Sequence, residues 1–331
     1  MSVPDRFRAF RIESGPPDHK AGIEELALGD LSPGELVVEA AYSSVNYKDA
    51  LAGSGAGKIL RHYPLVGGID VAGYVVASTD PGFKEGDQVL CTGCGLSETR
   101  DGGYGEYVRL EAKWAIPLPA GLSLRESMIL GTAGFTAALS LYRMQANGQV
   151  PEKGPIVVTG ATGGVGMLAI DLLVRAGYEV HAITGKSEQF EFLIAIGASQ
   201  CISRHGLHWG QRALETSHWA GAIDNVGGEM LSGLTRVIHP YGNIASCGMA
   251  SGPELHTTVM PFIIRGVSVL GIASAGTAYP IRRLLWEHLA SDWKPTHLER
   301  IATAEVGLDE LPGVFARMLA GDSFGRTVVR L

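Results

Sequence analysis

The rhythm of apolar and polar positions changes once along the chain. Up to about residue 120 it gives short β-type runs at 35–42, 71–77, 88–92 and 104–110. Pro33-Gly34, Gly67-Gly68, Pro81-Gly82 and Gly102-Gly103 punctuate them. Residues 84–89 read as a turn feeding a strand, and 114–121, with two prolines, as an extended linker. Residues 123–147 then take a helical period, with Leu130, Ala133, Ala137, Leu141 and Met144 near one face.

From Pro155 strands and helices alternate. Strands are expected at 156–159, 178–183, 200–203, 221–224 and 243–247, and 267–272 ends the run. Such alternation implies a parallel sheet covered on both faces, a doubly wound α/β unit. The tail returns to mixed structure, with helices expected at 280–291 and near 308–320 and a last strand at 326–331. No repeat or low-complexity stretch interrupts this order.

The densest signal lies where the alternation begins. The apolar strand 157–159 runs into Gly160-Ala161-Thr162-Gly163-Gly164-Val165-Gly166 and straight on into an apolar helix. Glycines let the backbone turn tightly and approach a pyrophosphate, which the first helical N–H groups then face. Gly177 suits the end of that helix, and the strand at 178–183 completes one βαβ unit. An ordinary strand–turn–helix without ligand is the competing reading, but four glycines in seven residues cost backbone entropy. In NAD-binding units a carboxylate near the end of the second strand takes the ribose hydroxyls. Here that strand runs into Thr184-Gly185-Lys186-Ser187, which offers a hydroxyl and an ammonium and no acid. The pattern favours NADP(H), because a carboxylate would repel the 2′-phosphate and these groups can bind it.

Composition narrows the class. A chain of 331 residues is long for a single core, so two domains are expected. The 45 glycines fit many tight turns. A net charge of −7 argues against nucleic acid as a partner. No signal-peptide pattern and no apolar run of about 20 residues is present, so a cytoplasmic protein without a membrane partner is expected. Four cysteines make no disulfide framework. Cys91 and Cys94 alone are close, a pair open to redox or metal chemistry or to simple burial. His205 and His208, at helical spacing in a polar segment, read as a solvated loop or helix face rather than a metal site.

Four stretches carry a family resemblance: residues 43–51 (Ser-Ser-Val-Asn-Tyr-Lys-Asp-Ala-Leu), 68–73 (Gly-Ile-Asp-Val-Ala-Gly), 131–137 (Gly-Thr-Ala-Gly-Phe-Thr-Ala) and 258–263 (Thr-Val-Met-Pro-Phe-Ile). With the glycine turn they make the chain similar, over essentially its whole length, to the medium-chain dehydrogenase/reductase superfamily. Within it the chain resembles the zinc-free, quinone-oxidoreductase-like branch that includes NADPH-dependent acryloyl-CoA reductases. The resemblance implies a GroES-like β-rich catalytic domain from residues 1–126 and 276–331, and a Rossmann dinucleotide-binding domain from 127–275. It implies cofactor contacts from Tyr47, Thr162, Gly163, Gly164, Val165, Thr184, Gly185 and Lys186, with Asn225, Met249, Ile263 and Ser274 near the nicotinamide. It also implies a homodimer paired through the 267–272 edge strand. Where zinc-dependent members place a cysteine this chain has Asn46, and where they have Gly-His-Glu it has Gly68-Ile69-Asp70, so no metal is expected.

Without a Lewis acid, hydride is best delivered to an alkene that is already electrophilic. An α,β-unsaturated thioester is such a target, with hydride added at the β carbon and a proton at the α carbon. Tyr47 is the expected hydrogen-bond donor and a possible acid, the alternatives being a pocket wall or water as the proton source. Asn46 and Asp70 are the remaining catalytic candidates, Asp70 either orienting Tyr47 or Lys48 or capping local structure. Lys48, Lys58 and Arg61, with His62, lie in or beside a glycine-rich loop that could close over the phosphates of CoA. A short 2-enoyl-CoA reductase is thus the leading reading. A quinone or enone reductase and a non-catalytic NADPH-binding protein are the alternatives.

Overall fold

A computed structural model describes residues 3–331. Those residues fall into two compact units. One comprises the described residues up to Thr132 with Ala275–Ala290 and Leu298–Leu331, and the other Ala133–Ser274 with Ser291–His297.

The first unit opens with β1 (Phe7–Ser14), β2 (Lys20–Leu26), β3 (Leu36–Ser44) and the short helix α1 (Tyr47–Gly53). It continues through β4 (Leu65–Val66), β5 (Asp70–Ser78), β6 (Gln88–Thr92), β7 (Tyr107–Leu110) and β8 (Ile116–Pro117). Helix α2 (Leu124–Ala146) follows, and its run is broken at Gly131, whose φ of 49° and ψ of −153° no helix has. The amphipathic helix expected at 123–147 is therefore two helices across a kink. The five apolar positions expected on its face are all buried.

In the second unit β9 (Ile156–Thr159), α3 (Gly164–Arg175), β10 (Val180–Thr184), α4 (Phe190–Ala195) and β11 (Gln200–Ser203) form one half of the sheet. The other half is β12 (Trp219–Asp224), α5 (Gly228–Val237), β13 (Ile238–Ser246), α6 (Met260–Arg265) and β14 (Ser268–Gly271). The strand order is β11-β10-β9-β12-β13-β14, all parallel, which is the doubly wound arrangement with its switch point between β9 and β12. Strand β9, at its centre, is buried throughout. Its core joins Val157, Ile183, Ala222 and Ile244 of the strands to Leu231 and Leu234 of α5. His205 and His208 lie in an exposed connection past β11, not on an α-helix face.

The tail supplies α7 (Tyr279–Leu289), α8 (Leu298–Ile301), β15 (Ala302–Val306), α9 (Leu311–Leu319) and β16 (Arg326–Arg330). Strands β15 and β16 return to the first unit, whose larger sheet runs β15-β16-β3-β5-β6-β8, with β7 also on β3. A smaller sheet, β2-β1-β4, completes it. In the larger sheet Val328 of β16 pairs with Ser44, Tyr42 of β3 with Ala72, and Asp70 of β5 with Thr92. These registers bring Ser44, Asp70 and Arg326 to one place, although 282 positions separate Ser44 from Arg326.

Candidate cofactor and active site

The glycine turn stands at the C-terminal end of β9, beside the switch point, where open α/β sheets take their ligands. Gly160 is left-handed, with φ at 59°. A Cβ on Gly166 would meet the Gly160 carbonyl at 2.4 Å, so the turn closes this tightly only with glycine there. Gly163 caps α3 without a side chain, and the N–H groups of Gly164 and Val165 open the helix with no earlier helical carbonyl to bond. Thr162 is buried, its hydroxyl 3.0 Å from that of Thr184.

At the end of β10 the Lys186 N–H donates to the Thr184 hydroxyl at 3.1 Å. Here the structure adds a residue that the sequence did not disclose. Thr184 pairs with Ser203, so the next residue of β11's strand, Arg204, comes beside Gly185. A Cβ on Gly185 would lie 2.5 Å from Arg204 Nε, so the guanidinium rests on the bare glycine. Thr184, Gly185 and Lys186 thus share their strand end with a second cation and no acid among them.

Asn225 follows β12. Its side-chain amide donates to the Thr159 carbonyl at 2.8 Å and its backbone N–H to the Thr159 hydroxyl at 3.0 Å. That hydroxyl in turn donates to buried Asp224, whose carboxyl is pushed up by burial. The Asn225 amide oxygen accepts from the Cys247 thiol. Asn225 therefore sits over the glycine turn in a fixed orientation, its Cβ facing Gly160. Met249 is exposed just beyond β13, Ile263 is exposed on α6, and Ser274 lies three residues past β14.

In the first unit Asn46, Asp49 and Asp70 meet. Asn46 caps α1, its N–H bonded to Asp49 at 2.8 Å, and Asp49 closes a capping box. The Asn46 amide nitrogen donates to Asp49 at 3.1 Å and to Asp70 at 2.8 Å, while its oxygen accepts from Arg326 at 3.1 Å. Asp70 also accepts from the Ser44 hydroxyl at 2.6 Å and from the Thr132 hydroxyl and N–H at 2.6 and 3.0 Å. Arg326 binds the carbonyls of Ile129 and Val45 as well as Ser44 Oγ. Burial and the charge of Asp70 raise the Asp49 carboxyl to about 7, against hydrogen bonds from Asn46 and Ile69. Gly131 must be bare here: its Cβ would strike Asp70 Oδ2 and Ser44 Oγ at 2.6 Å and Arg326 Nη2 at 2.8 Å.

Of the two roles expected for Asp70, this network favours fixing local structure, and it gives Asp70 no direct bond to Tyr47 or Lys48. Its oxygens are taken by Ser44, Asn46 and Thr132. Tyr47, the first residue of α1, is about half exposed, and its hydroxyl makes no hydrogen bond among the described residues. Lys48 is bound to Glu98 at 2.5 Å, and Arg61 shares that carboxylate at 3.7 Å. The Lys48 hydrogen bond and the charges of both cations hold the Glu98 carboxyl below its usual range. Lys58 is exposed. The loop that carries them is tied down as well, Arg61 N–H to the Glu98 carbonyl and His62 to the Thr99 carbonyl.

Among the described residues no group of three His, Cys, Asp or Glu is placed to hold a metal ion, and no helix is long and apolar enough to cross a membrane.

Residues 32–120 match the family model of the alcohol dehydrogenase GroES-like domain, and residues 164–291 that of zinc-binding dehydrogenases. YhfP of Bacillus subtilis, provisionally named a quinone oxidoreductase, is 45% identical over 98% of this chain and 99% of its own length. Its structure with NAD bound superposes with a TM-score of 0.96, covering 100% of both chains. The acrylyl-CoA reductase AcuI of Ruegeria pomeroyi is 42% identical over 98% of each chain. The yhdH oxidoreductase of Salmonella enterica, solved in complex with NADP, is 41% identical, covers 98% of this chain and 99% of its own, and has a TM-score of 0.94.

Proposed function

The chain belongs to the medium-chain dehydrogenase/reductase superfamily, and on that premise we propose that it is an NADPH-dependent oxidoreductase that reduces the activated C=C bond of a short 2-enoyl-CoA such as acryloyl-CoA. One observation carries the reading: the glycine turn opens α3 at the switch point, next to a strand end with Lys186 and Arg204 and no acid. In this reading the N–H groups of Gly164 and Val165 hold the pyrophosphate, and Gly163, whose own N–H donates to the Gly160 carbonyl at 3.0 Å, lets it come close. Thr162 sets the Thr184 hydroxyl, and Thr184, Gly185, Lys186 and Arg204 hold the 2′-phosphate. Asn225, Met249, Ile263 and Ser274 line the nicotinamide.

Bound NADPH supplies the hydride. The substrate must bring its own electrophile, because Asn46 and Asp70 are spent on each other, on Asp49 and on Arg326. A conjugated thioester does so. Tyr47 is its hydrogen-bond donor, and its phenol hydroxyl can deliver a proton to the α carbon of the enolate. Asn46 and Asp70 act through Tyr47 as positioning residues, fixing the start of its helix.

A second reading, an NADPH quinone or enone reductase, draws support from YhfP and from the Lys48–Glu98–Arg61 pairing, which leaves less positive charge for CoA phosphates. Oxidation of NADPH with acryloyl-CoA, crotonyl-CoA and a simple quinone separates the two. The first reading expects acryloyl-CoA to be turned over fastest, and efficient quinone turnover with an idle thioester overturns it. A homodimer belongs to the same proposal. Strand β14 is an edge strand, and Tyr241, Val259, Ile263 and Ile264 of the same unit are exposed. A monomeric mass by light scattering would refute it.

A further inference from the structure

The proposed reduction leaves one buried reactive pair unused. Strand β6 carries Cys91 and ends at Thr92, and the chain then passes through two left-handed residues, Gly93 (φ 67°) and Cys94 (φ 53°). Left-handed backbone is uncommon for a residue with a Cβ. Here it turns Cys94 back into the buried cluster that also holds Cys91.

The turn is fastened from several sides. Gly93 N–H donates to the Ile69 carbonyl at 2.7 Å and Cys94 N–H to the Ala275 carbonyl at 3.3 Å. Buried Arg282 donates to the Thr92 carbonyl at 2.7 Å and to its hydroxyl at 3.0 Å. A Cβ on Gly93 would lie 2.9 Å from Ala275 Cα, so the turn cannot swing that way. Both cysteines are thus fixed in one braced turn of the backbone.

We propose that Cys91 and Cys94 are a peroxide-reactive dithiol that closes to a reversible intramolecular disulfide, with Cys94 as the attacking sulfur.

The geometry divides the roles. Cys94 is 9% exposed and Cys91 1%, so a small oxidant reaches Cys94 first. The hydrogen bond from Cys91 and the nearby charges of Arg282 and Arg100 favour the Cys94 thiolate, bringing it down to about 7, against the opposing effect of burial. The same hydrogen bond and burial push Cys91 up, with Asp70 adding to the rise and Arg282 opposing it, which leaves Cys91 the resolving thiol. Cys94 thiolate displaces hydroxide from hydrogen peroxide to form a sulfenic acid. Cys91 sulfur then attacks Cys94 sulfur, its proton leaving with the sulfenic oxygen as water. In sum two thiols and one peroxide give one disulfide and two waters. A two-ligand pair does not build a zinc site, and no third His, Cys, Asp or Glu joins it among the described residues.

The test uses the intact protein. Residues 85–100 form a tryptic peptide holding both thiols, with Cys201 and Cys247 elsewhere as internal controls whose own thiols are pushed up. After brief peroxide treatment and alkylation, the doubly alkylated peptide should give way to one lacking two hydrogens, and dithiothreitol should restore it. Cys94 should be lost about tenfold or more faster than Cys201 at neutral pH. Cys91→Ser should yield a Cys94 sulfenic acid trapped by dimedone, and Cys94→Ser should slow loss of Cys91 to the control rate. Both thiols still alkylated when the controls have reacted, a disulfide to Cys201 or Cys247, or a Cys94→Ser protein that loses Cys91 as fast as the wild type would each overturn the proposal. The wild-type measurement stands even where a variant fails to fold.

Discussion

Arg204→Ala tests the proposed 2′-phosphate site at the residue that the structure adds to it. The guanidinium lies on Gly185, with Nε and Cζ at 2.5 and 2.9 Å from where a Cβ would stand, and the Lys186 backbone follows directly. A hydrogen bond between ionised partners contributes about 1.5–3 kcal/mol. Arg204 is exposed, and solvent screening cuts that to about 1–2 kcal/mol. At about 1.4 kcal/mol per decade, NADPH affinity should fall roughly 5- to 30-fold. NADH lacks the phosphate, so its affinity should stay within about twofold. Lys186→Glu removes a cation and adds a repelling carboxylate, so its effect on NADPH should be larger, on the order of 100-fold. Fluorescence titration of both nucleotides against wild type and variants reads the two constants directly. Raising the salt should shrink the difference between wild type and variant for NADPH. Equal losses for NADPH and NADH, or no loss for either, would show that these cations face solvent and hold no phosphate.

Three further outcomes follow from the first unit. Tyr47→Phe should lower kcat by about 100-fold while leaving the NADPH dissociation constant within about twofold, and unchanged kcat would reduce Tyr47 to a wall. Gly131→Ala forces a Cβ within 2.8 Å of Asp70, Ser44 and Arg326 at a φ of 49°, and should cost on the order of 3–5 kcal/mol in urea denaturation. A loss under about 1 kcal/mol would mean that the cluster is soft. Asp49 titrates at about 7 when folded, against 3.8 for a free aspartate, so between those values the folded state holds the extra proton. Stability from this group is greatest below pH 3.8 and falls as the pH rises to 7, by at most about 4 kcal/mol at ~1.36 kcal/mol per unit. Asp49→Asn should flatten that slope in denaturation series from pH 5 to 8 (roughly the accessible window), and parallel slopes for the two proteins would refute the assignment.

How far the sequence could be read depends on the range of the contacts. Strands β6, β9 and β11 fall at their expected bounds because turn residues and apolar runs bracket them locally. The β1–β2 hairpin is hidden by charges: Arg8, Arg11, Glu24 and Glu25 break any clean alternation, and some of them are satisfied by ion pairs such as Arg11 with Glu24. Strand β15, Ala-Thr-Ala-Glu-Val, has too little apolar content to declare itself and is fixed by pairing with β16. Arg204 and Arg326 fail to show for different reasons. Arg204 could have been inferred by writing β10 and β11 side by side, since parallel register places it next to Gly185. Arg326 carries no local signal: a charge near the start of a terminal strand looks like surface, yet it is 3% exposed.

Arg326 also bears on the proposed preference for an activated alkene. In a zinc-dependent relative the corresponding loop and strand would present side chains with open lone pairs to a divalent ion. Here the Asn46 amide has both donors and its acceptor in use, and Asp70 receives four hydrogen bonds. A permanent cation, Arg326, already stands 3.9 Å from Asp70, and a divalent ion arriving there would have to displace or repel it. Burial, and after it the charge of Asp70, raises Asp49 to about 7, while burial also lowers Arg326 against the pull of both carboxylates. The cluster therefore does by fixed hydrogen bonds part of what a metal would do, holding the loop in place, but it offers no vacant orbital to a carbonyl. What remains for the chain to supply is placement and a donor. On the proposed reading the polarisation that makes carbon accept hydride is built into the substrate, as it is in a conjugated thioester or a quinone and is not in a simple ketone.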